Sequence, residues 1–128
     1  MEGATTFRLV LIRPSHYDDD GYVIQWVRSA IPSNTLATLN SLAMDCARRQ
    51  VLGKDVGIVV DCYDETNTVL PIKSIIRTVQ KAAAGMVALV GVQSNQFPRA
   101  VDLATSFLQA DISVVIGGFH VSGCLRML

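Results

Sequence analysis

Charge is scarce in this chain and favours neither sign. Of 128 residues, 17% are charged, with 11 basic against 11 acidic for a formal net charge of zero. That balance, with no basic patch, argues against nucleic acid as a partner. Cysteine is also sparse. Cys46, Cys62 and Cys124 are odd in number, widely spaced and include no C-x-x-C pair, which excludes a disulfide framework and a zinc site. They read as reduced thiols in a cytoplasmic protein. No apolar run approaches the roughly 20 residues needed to span a bilayer. The opening Met1-Glu2-Gly3-Ala4-Thr5-Thr6 lacks the basic region of a secretory signal.

What the chain has is apolar sequence. Half the residues are hydrophobic and the mean hydropathy is +0.36; with no membrane span, buried parallel strands are the explanation. A chain of 128 residues makes one domain, residues 1–128, with room for a core of its own. Phe7–Ile12 is the first strand, ended by Arg13-Pro14-Ser15-His16, because proline cannot donate to a ladder. After a polar loop with Asp18-Asp19-Asp20, the segment Tyr22–Val27 is arm or helical turn; six residues cannot decide. Pro32-Ser33-Asn34-Thr35 starts a helix running to about Gln50, with Leu36, Leu39, Ala43 and Ala47 on one face and Gly53 as its C-terminal cap. Val56–Val60 is the second strand, and Asp61 to Asn67 its exit loop. A second helix begins at Pro71, carries Ile72, Ile75, Ile76, Val79 and Ala83, and closes at Gly85. Met86–Val92 is the third strand. Pro98 opens a third helix with Ala100, Val101, Ala104, Phe107 and Leu108 inward.

The fourth strand is Ile112–Ile116, mostly β-branched and with no polar alternation, which reads as buried on both faces. Gly117-Gly118-Phe119-His120-Val121-Ser122-Gly123 follows. The β-α-β-α-β-α-β alternation predicts a three-layer, Rossmann-like (flavodoxin-like) α/β fold with right-handed crossovers. The expected strand order is second, first, third, fourth. The chain reaches Leu128 about where another helix would begin, so the pattern reads as the front of a longer domain, short of a final strand and helix.

In such sheets ligands bind outside the carboxyl ends of the strands, at the point where strand order reverses. The strand exits bring Pro14, Ser15 and His16 there, with Ser94, Asn95 and Gln96 beside them and Gly117, Gly118 and His120 beyond. The helix start at Ser33, Asn34 and Thr35 aims free backbone N–H groups at the same rim. These groups are small and neutral, suited to holding a large polar ligand by many hydrogen bonds. No carboxylate pair and no nucleophile beside a base emerges, so no catalytic residue is assigned. Taken singly, each of these residues also fits as an ordinary turn former. His16 could ligate a metal or lie on the surface; His120 could touch a ligand or bond its own turn. Asp61, Asp64 and Glu65 stand where a ribose hydroxyl is contacted in nucleotide-binding folds, but no glycine-rich loop follows the first strand. Tyr22 and Trp26 read as core or interface residues rather than ligand stackers.

Three stretches, Arg8-Leu9-Val10-Leu11-Ile12-Arg13-Pro14, Val90-Gly91-Val92-Gln93-Ser94 and Val114-Val115-Ile116-Gly117-Gly118-Phe119-His120, together resemble the N-terminal cobalamin-binding domain of cobalamin-dependent radical SAM enzymes. In that family the corrin of cobalamin (vitamin B12) lies over the carboxyl edge of a Rossmann-like sheet. The resemblance implies methyl transfer or rearrangement, carried out with a downstream domain that holds an iron–sulfur cluster and S-adenosylmethionine. Two departures matter. The D-x-H-x-x-G motif of cobalamin mutases is absent, since Pro14 stands two before His16 and Asp19 three after; several relatives likewise dispense with a histidine lower ligand. The C-x-x-x-C-x-x-C cluster that would hold the iron–sulfur centre is also missing, so these residues alone generate no radical. The alternative from another class is a cofactor-free scaffold that serves as a docking surface. A signalling receiver domain needs an acidic pair after the first strand and an Asp after the third, where this chain has Arg13-Pro14-Ser15 and Ser94-Asn95. A flavodoxin needs a Ser/Thr-Gly phosphate loop that the chain lacks.

Overall fold

The computed structural model describes residues 5–26 and 33–128. Val27 and Pro32, at the ends of two of the expected segments, lie outside them. Eight elements alternate: β1 (Thr5–Arg13), α1 (Asn34–Arg48), β2 (Val56–Asp64), α2 (Ile72–Lys81), β3 (Ala84–Leu89), α3 (Phe97–Gln109), β4 (Ser113–Ile116) and α4 (Phe119–Met127). The four strands form one parallel sheet in the order β2-β1-β3-β4, as the alternation predicts. Helices lie on both faces, giving the three-layer α/β fold.

Strand geometry sends alternate side chains to opposite faces, and the two faces of β1 feed two cores. Val10 and Ile12 join Val87, Leu89, Ile75, Val79, Leu103 and Phe107 beneath α2 and α3. Leu9 and Leu11 face the other way, toward Leu36 and Ala43 of α1 and Ala88 of β3. The first core is the larger. Each fully buried aliphatic or aromatic side chain in it contributes roughly 1.5–3 kcal/mol. The second face is roofed only by α1, since α4 buries none of its side chains.

Several boundaries depart from expectation, each for a packing reason. β2 continues through Asp64, because its register with β1 runs on from Val10↔Asp61 to Arg13↔Asp64. Ion pairs Arg8–Asp61 (3.2 Å) and Arg13–Asp64 (3.5 Å) hold these polar positions in the strand. Gly85 does not close α2 but lies inside β3, where a Cβ would come within 2.6 Å of the Arg8 carbonyl oxygen. α2 ends at Lys81, leaving Ala83 outside it. α1 ends at Arg48, and the first residue past it with a positive φ is Gln50 (φ 52°), with Gly53 (φ 114°) three residues further on. β4 is an edge strand, not one buried on both faces: Val115 is 48% exposed. On α3, Val101 and Leu108 point outward, and Leu103 takes the inward place. Tyr22 and Trp26 are exposed, Trp26 by 60%, so neither is core. The largest difference is at the end of the chain, where the helix begins at Phe119, on the rim itself, and runs to Met127, whereas the pattern places the start of another helix only about Leu128.

Candidate functional site

Backbone hydrogen bonds draw the strand exits together at the carboxyl edge. Val90 N–H donates to the Ile12 carbonyl (2.8 Å), Gly117 N–H to Leu89 (2.9 Å), and Val92 N–H to Gly117 (2.9 Å). The tips after β1, β3 and β4 therefore form one rim. Gly118 is pressed against it with φ of +140°, and a Cβ there would lie 2.4 Å and 2.5 Å from the backbone N and O of Val92. Only glycine fits that approach. Gly117 faces open space instead.

Below the rim lies a polar frame. Glu65 is buried and accepts from Arg99 Nε (3.0 and 3.2 Å) and Nη2 (2.7 Å), and from the Ser15 backbone N–H (3.1 Å). A buried carboxylate persists only with such partners. The Glu65 hydrogen bonds hold the Arg99 guanidinium even more firmly charged than usual. Arg99 Nη1 also donates to Tyr17 Oη (3.3 Å), whose hydroxyl in turn donates to Asp102. Burial and Asp102 push the Tyr17 phenol above its ordinary range against the opposing pull of Arg99. Gln96 donates to the Pro14 carbonyl (2.8 Å) and accepts from Gln93 N–H (2.9 Å). One network thus ties the exits of β1 and β2 to the start of α3.

This frame absorbs part of the expected binding set. Pro14, Ser15 and Gln96 are buried, and the Ser15 hydroxyl donates to the Ile24 carbonyl. Ser33 caps α1, its Oγ accepting from Leu36 N–H at 3.1 Å. Asp61, Asp64 and Glu65 are all paired inside the protein. Asp18 accepts from the N–H groups of Asp20 and Tyr22, forming a turn. Among the described residues, no three His, Cys, Asp or Glu side chains are grouped to hold a metal ion.

What remains open at the rim is Asn34, Thr35, Ser94 and Asn95, all exposed, with Gly117, Gly118 and His120 half-buried. A cleft of about 290 Å³ lies among Thr35, Gly91, Gln93, Gly118, Phe119 and Ser122. Gly91, Gln93 and Phe119 are not among the expected binding residues; the signal for Gly91 and Gln93 is their place in the Val90–Ser94 exit. An apolar groove of about 500 Å³ on the α1 face adjoins this cleft, the two sharing Thr35, Gly91 and Gly118 as lining residues. Leu9, Leu11, Met86, Ala88 and Val115 floor the groove, and Leu39, Leu42 and Ala43 of α1 wall it. Its volume falls within the range of ligand sites.

No family model matches this chain, and no curated protein or solved structure matches it significantly. Function is therefore argued from the site alone. Its polar rim above an apolar groove suits a ligand with a broad hydrogen-bonding body and a flat apolar tail.

Proposed function

We propose that this domain binds cobalamin at the carboxyl edge of its sheet. The groove that enters beneath the rim between α1, β3 and β4 carries the proposal. The corrin would lie over Asn34, Thr35, Ser94, Asn95, Gly117 and His120, and its nucleotide tail would enter the groove past Gly91 and Gly118. Two observations support the fit. The exits after Ile12, Val92 and Ile116 converge, and neither Trp26 nor Phe119 plugs the space, Phe119 being 84% exposed. Pro14, Ser15 and Gln96 act in this reading as the frame under the rim rather than as contacts. When bound, cobalamin would supply methyl-transfer or rearrangement chemistry to a downstream radical SAM domain, which holds the iron–sulfur cluster and S-adenosylmethionine that this chain does not provide.

The test is retention of colour. Purified protein mixed with hydroxocobalamin should carry the corrin spectrum through gel filtration. Gly117→Leu, whose side chain would grow into the groove, should lose the colour while its circular dichroism stays that of the parent. Complete release of corrin by the parent protein would overturn the proposal. A cofactor-free docking module is the second reading, favoured by one observation: α4 exposes the large apolar side chains Phe119, Leu125 and Met127.

A further inference from the structure

α4 carries a thiol, Cys124, that the cofactor proposal leaves unused and that meets the rim residue His120. His120 and Cys124 are four residues apart on the helix, so they stack on one face. Cys124 Sγ lies 3.6 Å from His120 Nε2, and His120 Nδ1 lies 3.1 Å from Ser94 Oγ. The imidazole also stacks on Phe97, ring centroids 4.3 Å apart. Ser94 follows β3 and Phe97 opens α3, so two other elements fix the ring that meets the thiol. A nucleophile within reach of a base, with the base held by a third group, is the signature of an activated nucleophile. The consistent tautomer has Nδ1–H donating to Ser94 Oγ, which leaves Nε2 free to accept the thiol proton. Cys124 is exposed, and among the described residues the other two thiols, Cys46 and Cys62, have no imidazole beside them.

We propose that Cys124 is a base-assisted thiol that forms mixed disulfides with small-molecule disulfides, with His120 as its proton acceptor and Ser94 as a positioning residue. The incoming disulfide is the oxidant, and the step balances. The Sγ proton passes to His120 Nε2, and the thiolate attacks one sulfur of the incoming disulfide. That S–S bond breaks as the new one forms, and the leaving thiolate takes the proton back from Nε2. Exchange of this kind develops no oxyanion, so it needs no hole of backbone donors, and its rate follows thiolate availability and access. The inference does not require cobalamin, because it rests on contacts among α4, Ser94 and Phe97; Ser94 and His120 are shared with the proposed corrin surface, so the reaction is followed on protein free of corrin.

The experiment follows each thiol of the intact protein by mass spectrometry during reaction with glutathione disulfide at fixed neutral pH. Cys124 should react first. Cys62 is the internal control, its thiol pushed up by burial and by Asp64. His120→Phe keeps a ring to stack on Phe97 but removes the base. It should slow Cys124 on the order of tenfold, below the gain typical of enclosed acid–base sites, and leave Cys62 unchanged. Ser94→Ala should slow Cys124 severalfold and Ser94→Thr should recover it; this pair decides the matter if the His120 variant does not fold. A Cys124 rate equal in the parent and in a folded His120→Phe, or in the parent and Ser94→Ala, would overturn the proposal.

Discussion

Arg99 is the residue on which the rim's frame depends. It is the main partner of the Glu65 carboxylate, whose side chain is only 2% exposed. Removing one member of a buried pair leaves the other charged and unpaired, at a cost of about 3–5 kcal/mol. Arg99→Ala should lose stability on that scale in urea unfolding, and Arg99→Lys should recover only part, since a lysine cannot reproduce the forked contact. Tyr17 gives the same frame a pH dependence. Its folded pKa is raised above the ordinary 10.0, chiefly by burial. Its contribution is therefore fully present below pH 10 and is lost as pH rises through the folded value. Urea midpoints measured on either side of pH 10 should fall more steeply for the parent than for Tyr17→Phe. The paired glycines separate just as clearly. Gly118→Ala meets the Val92 backbone at a positive φ and should cost about 2 kcal/mol or more, whereas Gly117→Ala should leave the melting temperature almost unchanged.

At the level of elements, legibility followed periodicity. The alternation of elements, their number up to β4 and the strand order were all readable, because parallel strands and crossover helices leave strong apolar patterns. Boundaries and faces were less so. Val101 and Leu108 of α3 are apolar yet exposed, Leu108 by 58%, while Leu103 is buried. An apolar helix surface wider than its contact stripe does not announce which residues meet the sheet. Phe107→Ala should cost about 3–5 kcal/mol, and Leu108→Ala should stay within about 0.5 kcal/mol, as read by urea denaturation. α4 was hidden for a different reason. Gly123 sits in its middle and Val121 is β-branched, so local propensity argues against a helix. The spacing His120-x-x-x-Cys124 signals the thiol pair once the segment is helical; Ser94, 26 residues earlier, has no such signal.

Across the whole molecule the asymmetry of the two faces is the feature that bears on function. α2 and α3 seal one face, whereas α1 alone roofs the other and leaves the groove beside β3 and β4. A ligand that fills the groove binds only the folded state and stabilises it by mass action. Cobalamin at about 100 times its dissociation constant should add roughly 2.7 kcal/mol, seen as a rise in melting temperature that Gly117→Leu abolishes. No helix among the described residues is long and apolar enough to cross a membrane. The apolar character of the chain is spent on buried strands and on this groove.

The sequence by itself determined the parallel four-stranded sheet, its order, and the set of loops brought to one edge. Those follow from local patterns that survive any detail of packing. Only the tertiary structure decided which polar groups at that edge stay free. Ser15 and Gln96 differ little in type from Ser94 and Asn95 in the sequence. They are withdrawn into the protein because Glu65 and the Pro14 carbonyl, distant along the chain, come within hydrogen-bond reach. Whether a side chain serves a ligand or its own fold depends on such long-range partners, and local sequence does not encode their distance.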